Sequence, residues 1–125
     1  MSEERKPASV YGVGDEPDPR FSLANERTAL AWMRTALALI AGGVALISVS
    51  SLAGLPGWAA LVGGSACAGG ALLALRAVSG WARVERALRT KQALPAPRAL
   101  TVLAVAVVAL SLVTLALGVL QEIRR

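Results

Sequence analysis

At 125 residues the chain has room for one domain. With 55% hydrophobic against 17% charged residues and a mean hydropathy of +0.59, it carries more apolar side chain than so small a soluble core can hide. It has no His and a single Cys, which excludes an intrachain disulfide, the usual transition-metal ligand sets and imidazole acid–base chemistry. The net charge of +5 gathers beside the apolar blocks, where it reads as topology and attraction to anionic lipid and not as nucleic-acid binding.

Residues 1–18 are polar, with mixed charges and Pro7, Pro17, Gly12 and Gly14, the composition of a mobile tail. They lack the basic start and apolar centre of a secretory signal. A helix is expected from Asp18-Pro19, since Asp18 can cap free N–H groups and Pro suits the first turn. Thr35 to Leu52 then runs 18 residues without a charge, about 27 Å of helix, and Gly54-Leu55-Pro56-Gly57 makes a turn. Trp58 to Leu75 is a second uncharged run of 18, and Leu100 to Leu120 a third, of 21. The third offers only Thr101, Ser111 and Thr114 as polar groups, so it has no polar face to turn to water. The fold class expected is all-α integral membrane. Residues 19–125 form a three-helix membrane domain with spans at about 29–52, 57–79 and 99–120.

Basic residues set the orientation. Arg20, Arg27 and Arg34 precede span one, Arg83, Arg86, Arg89, Lys91 and Arg98 link spans two and three, and the first turn has none. The positive-inside rule places the N-terminus and second link in the cytoplasm and the C-terminus outside, with Arg124 and Arg125 against the rule. Trp32, Trp58 and Trp81 all fall near helix ends, where indole rings prefer to sit. Span two should continue as helix past Trp81, with Glu85 and Arg89 as an i,i+4 pair, until Pro95 and Pro97 stop it.

Arg20, Arg27 and Arg34 are seven apart and share one stripe, edged by Ala24, Ala31, Ala38 and Gly42. Two readings stand side by side: snorkelling to head groups, or guanidinium groups turned into a bundle centre. Arg76 and Arg83 repeat the spacing on span two and Arg98 opens span three, so that Arg34, Arg76, Arg83 and Arg98 could converge on a cytoplasmic vestibule if the helices assemble. Asn25 and Thr28 belong to a polar face suited to bonding neighbouring helices, and Glu26 to an ion pair. Gly42, Gly43, Gly63, Ser65, Gly69 and Gly70 are helix-packing candidates, and Cys67 reads as a small buried hydrophobe.

The run Leu23-Ala24-Asn25-Glu26-Arg27-Thr28, followed by Ala31-Trp32-Met33-Arg34-Thr35, closely resembles the YidH family of bacterial inner-membrane proteins (domain of unknown function 202), from about Pro19 to the end. The same domain looks like the membrane part of the vacuolar transporter chaperone, which makes polyphosphate and passes it through the membrane. That likeness implies an oligomer whose basic residues line an anion pathway, with Arg20, Glu26 and Arg27 matching the motif region and Arg98 a basic residue before the third span. Arg34 matches the bacterial pattern only, and the sequence holds no polymerase or phosphate-sensing domain, so polyphosphate synthesis is not implied.

The expected function is therefore a homo-oligomeric anion-binding or anion-conducting module with an Arg-lined centre, a phosphate polymer being one candidate anion. A structural or accessory subunit of a larger complex is the alternative. No catalytic residues, metal or cofactor are expected, because no nucleophile–base pair or metal set is present. The partners expected are the lipid bilayer and further copies of the chain.

Overall fold

The first long helix starts where its capping chemistry puts it. An Asp18 carboxylate oxygen accepts from the Arg20 backbone N–H at 2.9 Å, and Pro19 occupies the first helical position. The computed structural model describes residues 4–125 and contains α1 (Ala8–Tyr11), α2 (Pro19–Leu52), α3 (Gly57–Arg89) and α4 (Arg98–Ile123). The last three are long and apolar enough to cross a membrane, which makes this an all-α multipass membrane protein. With 34 and 33 residues, α2 and α3 run about 50 Å each, well beyond a hydrocarbon core of about 30 Å. Their surplus lies at one end, because a short turn joins them at the other.

That turn closes by a Schellman arrangement. Gly54 takes φ +61°, and the Leu55 N–H donates to the Ser50 carbonyl at 3.0 Å, satisfying an acceptor the helix end would leave open. The same bond closes α3, where the Gln92 N–H donates to the Ala87 carbonyl at 2.9 Å, but here the left-handed position is held by Lys91, at φ 54°.

Small residues recur every seven along α2, as Ser22, Ala29, Ala36, Gly43 and Ser50, and along α3, as Gly63, Gly70 and Ala77. These two series face each other in an antiparallel seam of the left-handed, coiled-coil kind. Ala36, Gly43, Ser50, Ala59, Gly63, Gly70 and Ala77 are all buried there. The backbones nearly touch: a Cβ on Gly43 would meet the Gly63 carbonyl oxygen at 2.5 Å, and one on Gly70 the Ala36 carbonyl at 2.7 Å. Cys67, half-buried, joins the seam by donating to the Ile40 carbonyl at 3.6 Å.

Three of the six packing candidates lie outside that seam. A Cβ on Gly42 or Gly69 would meet open space, and Ser65 is exposed. The reason is angular. Gly42 and Gly69 are one residue, and Ser65 two, off the seven-residue series, which turns them about 100° to 160° away from the partner helix. Ser65 instead borders a gap between α3 and α4. Helix α4 touches α3 only and has no buried residue.

The mobile tail expected for residues 1–18 is corrected over its described part, residues 4–18; residues 1–3 lie outside the described residues. Helix α1 packs on α3 with Val10 buried at 3% exposure. Two apolar side chains, Val10 and Tyr11, suffice to dock a segment whose average composition is polar. The Asp15 N–H donates to the Arg89 carbonyl at 3.1 Å, and Gly14, at φ +62°, lies so close to that carbonyl that no Cβ would fit.

Candidate functional site

The surplus ends of α2 and α3 leave the apolar seam and carry the chain's charge. Here the seam's next small residue, Ser22, meets a carboxylate where its earlier members met glycines. Ser22 donates from Oγ to Glu85 Oε1 at 2.8 Å, and Asn25 Nδ2 donates to the Trp81 carbonyl at 3.0 Å and to Glu85 Oε2 at 3.4 Å. Glu85 is 2% exposed and Arg89, 7% exposed, brings Nε to 3.8 Å from Glu85 Oε1. That Nε has no hydrogen-bond partner, and the guanidinium lies over the Tyr11 ring at 4.9 Å from its centroid. Tyr11 in turn packs against Trp81, with ring centroids 6.1 Å apart. A buried ion pair needs partners of this kind to offset its desolvation. Glu85 and Arg89 are buried at its centre, with Ser22, Asn25, Tyr11 and Trp81 half-buried around them, and these contacts tie α1, α2 and α3 together.

Beside it lies an open cleft of about 410 Å³ between α2, α3 and the entry to α4. Arg76 and Arg83 line it from α3 and Arg98 from α4, with Asn25 and Thr28 on the α2 side. Trp32, Trp81, Leu73, Ala77 and Val84 supply apolar wall, and no Asp or Glu lines the cleft. Arg83 keeps its direction by donating from Nε to the Ser79 carbonyl at 3.3 Å. Thr28 Oγ1 donates to the Ala24 carbonyl at 3.1 Å, so it serves its own helix and not a neighbour. Three like-charged guanidinium groups thus border one space with no acid in its lining, which leaves its charge uniformly positive.

Arg34 does not join them, and the expected four-arginine vestibule is corrected to three. The seam face of α2 is Ser22, Ala29 and Ala36; Arg20, Arg27 and Arg34 each come two residues earlier and so point about 160° away. All three are exposed on the outer side of α2. Arg20 pairs with Asp18 at 3.2 Å, whereas Arg27, Arg34 and Glu26 make no ion pair among the described residues. Sequence reasoning named Glu85 and Arg89 as an i,i+4 pair but gave no sign of its burial. Extending the seven-residue series of α2 back to Ser22, antiparallel to α3, would have brought Glu85 to the seam.

Comparison with known proteins follows the hairpin closely. The family model for the domain of unknown function DUF202 matches residues 20–87, which is α2 and nearly all of α3. The inner membrane protein YidH of Escherichia coli (strain K12) is 36% identical over 108 residues, covering 86% of this chain and 94% of that protein. Protein Rv2272 of Mycobacterium tuberculosis (strain H37Rv) is 39% identical over 108 residues, covering 86% of this chain and 88% of its own. No solved structure matches.

Proposed function

The chain belongs to the DUF202 family and is a multipass protein of the bacterial inner membrane, and on that footing we propose that it is an anion-binding module for phosphate-bearing groups. The observation that carries this reading is the Arg76–Arg83–Arg98 cleft with no carboxylate in its lining. Guanidinium groups offer paired N–H donors that match phosphate oxygens, and an Arg cannot lose its charge at any physiological pH. The basic residues orient this end toward the cytoplasm by the positive-inside rule. Polyphosphate, the anion that the likeness to the vacuolar transporter chaperone brings with it, falls in the same class. The role is binding and not enzymatic turnover. Calorimetric titration of the purified chain in neutral detergent with tripolyphosphate tests it. Wild type binds, and the double variant R76Q/R98Q binds roughly thirtyfold more weakly, at about 1 kcal/mol per charge removed. Equal affinity in the two proteins refutes the site.

A second reading concerns the outer face of α2. Arg20, Arg27 and Arg34 stand exposed on it with Ala24 and Ala31 between them and Ala38 and Gly42 beyond, and open space surrounds Gly42. Copies of the chain meeting along this face would bring the three arginines to a shared centre able to conduct an anion. The competing role, as accessory subunit of a larger complex, draws on α4, whose whole surface is left for a partner. Native mass spectrometry in neutral detergent decides between them: a closed ring of identical subunits supports conduction, and a strict monomer removes it. In a ring, R34A lowers anion flux into liposomes without loss of assembly.

A further inference from the structure

We infer that the phosphate group seated in the Arg76–Arg83–Arg98 cleft belongs to an anionic phospholipid, whose acyl chains lie along the furrow between α3 and α4. The inference rests on the anion-binding reading and names the source of the anion. Depth is the first support. Gly57 to Arg76 spans about 29 Å of helix, one hydrocarbon thickness, so with the turn at one interface Arg76 stands at the other. Arg98 opens α4 and occupies the same level, the level of lipid phosphates.

The walls are the second support. On the membrane side of Arg76 the cleft is lined by Leu73 and Trp32, surface that a soluble polyanion would gain nothing by meeting. An anionic lipid presents both halves, charged head over apolar chain, in the order the cleft presents them. The third support is the loose contact of α3 with α4. Toward the turn end these helices part again around a gap of about 420 Å³, bordered by Leu61, Val62 and Ser65 on α3 and by Leu110, Val113 and Leu117 on α4. The two openings lie on one face of α3, since Leu73 comes eleven residues after Val62, and the one nearer the turn is apolar but for Ser65. Basic pockets between spanning helices are a recognised means of holding lipid head groups.

Native mass spectrometry on the full chain tests the inference with three probes: phosphatidylglycerol, phosphatidylcholine of the same acyl chains, and tripolyphosphate. Wild type retains phosphatidylglycerol and not phosphatidylcholine. R76Q/R98Q, both exposed positions, loses retention roughly thirtyfold, while the charge-matched R124Q/R125Q at the opposite end of α4 keeps it. Should the double variant fail to fold by circular dichroism, R98Q alone reads out, with a loss of roughly fivefold. If tripolyphosphate binds and is lost in R76Q/R98Q while phosphatidylglycerol is not retained, the anion site stands and the lipid assignment falls. If neither probe binds, both fall. Equal loss of phosphatidylglycerol in the two double variants means general charge attraction and overturns the assignment to the cleft.

Discussion

The α2–α3 hairpin is held together by two unlike kinds of contact along its length. In the spanning half, Ala36, Gly43, Gly63 and Gly70 let the backbones come within van der Waals reach, with Ile40 and Ile47 of α2 folded against the glycines of α3. At the charged end the same two helices are joined by Ser22, Asn25, Glu85 and Arg89 through hydrogen bonds and a buried ion pair, with α1 closing over it. The surroundings explain the contrast. Lipid tails are as apolar as any side chain, so burying Leu between helices gains little and close backbone packing does the joining. Beyond the bilayer, water makes burial of Tyr11 and Trp81 favourable again, and polar groups carried inside must find partners.

The comparison can be broken most forcefully at the charged end. Glu85→Ala strands Arg89 without its counter-charge and is expected to cost about 3–5 kcal/mol, read as a lower SDS fraction at the unfolding midpoint in mixed micelles. Gly63→Leu attacks the other half, where a Cβ would already stand 2.7 Å from the Gly43 carbonyl oxygen. It is expected to cost about 1–3 kcal/mol in the same assay and to splay the spans, read as faster hydrogen exchange along the seam. Tyr11→Ala removes the ring over Arg89 and should cost about 1–2 kcal/mol. Its signature is hydrogen exchange: protection falls at residues 8–15 and stays unchanged along the seam. Lys91→Gly is the smallest effect and the opposite sign. It relieves a left-handed backbone position and should stabilise by about 1 kcal/mol, seen as a small rise in the SDS midpoint.

Much of the membrane part was legible in the sequence, for reasons tied to particular residues. Charge-free runs bounded by Asp18-Pro19, Gly54-Leu55-Pro56 and Pro95 to Pro97 mark helices, because a chain crossing lipid must pair all its backbone groups locally. The cleft was half legible. Arg76, Arg83 and Arg98 were recognised by spacing and position, and Arg34 was grouped with them by the same seven-residue spacing, which does not say which way its stripe faces. Which side of α2 meets α3 is set by its small residues, and Arg34 is on the other side. The Glu85 cluster was the least legible part, since Ser22 lies 63 residues away in sequence.

Composition and order of residues by themselves determined that this protein crosses the membrane in three helices and that its positive charge collects at one end. Both properties follow from local hydropathy, helix rise and capping, which need no knowledge of neighbours. Only the tertiary structure decided that Ser22, Asn25 and Tyr11 gather around a buried Glu85 and Arg89 and that Arg76, Arg83 and Arg98 share a cleft without Arg34. Those outcomes depend on the rotation of α2 against α3, fixed where Gly43 meets Gly63 and Ala36 meets Gly70, because there the backbones approach so closely that an added Cβ on the glycine would strike the facing carbonyl.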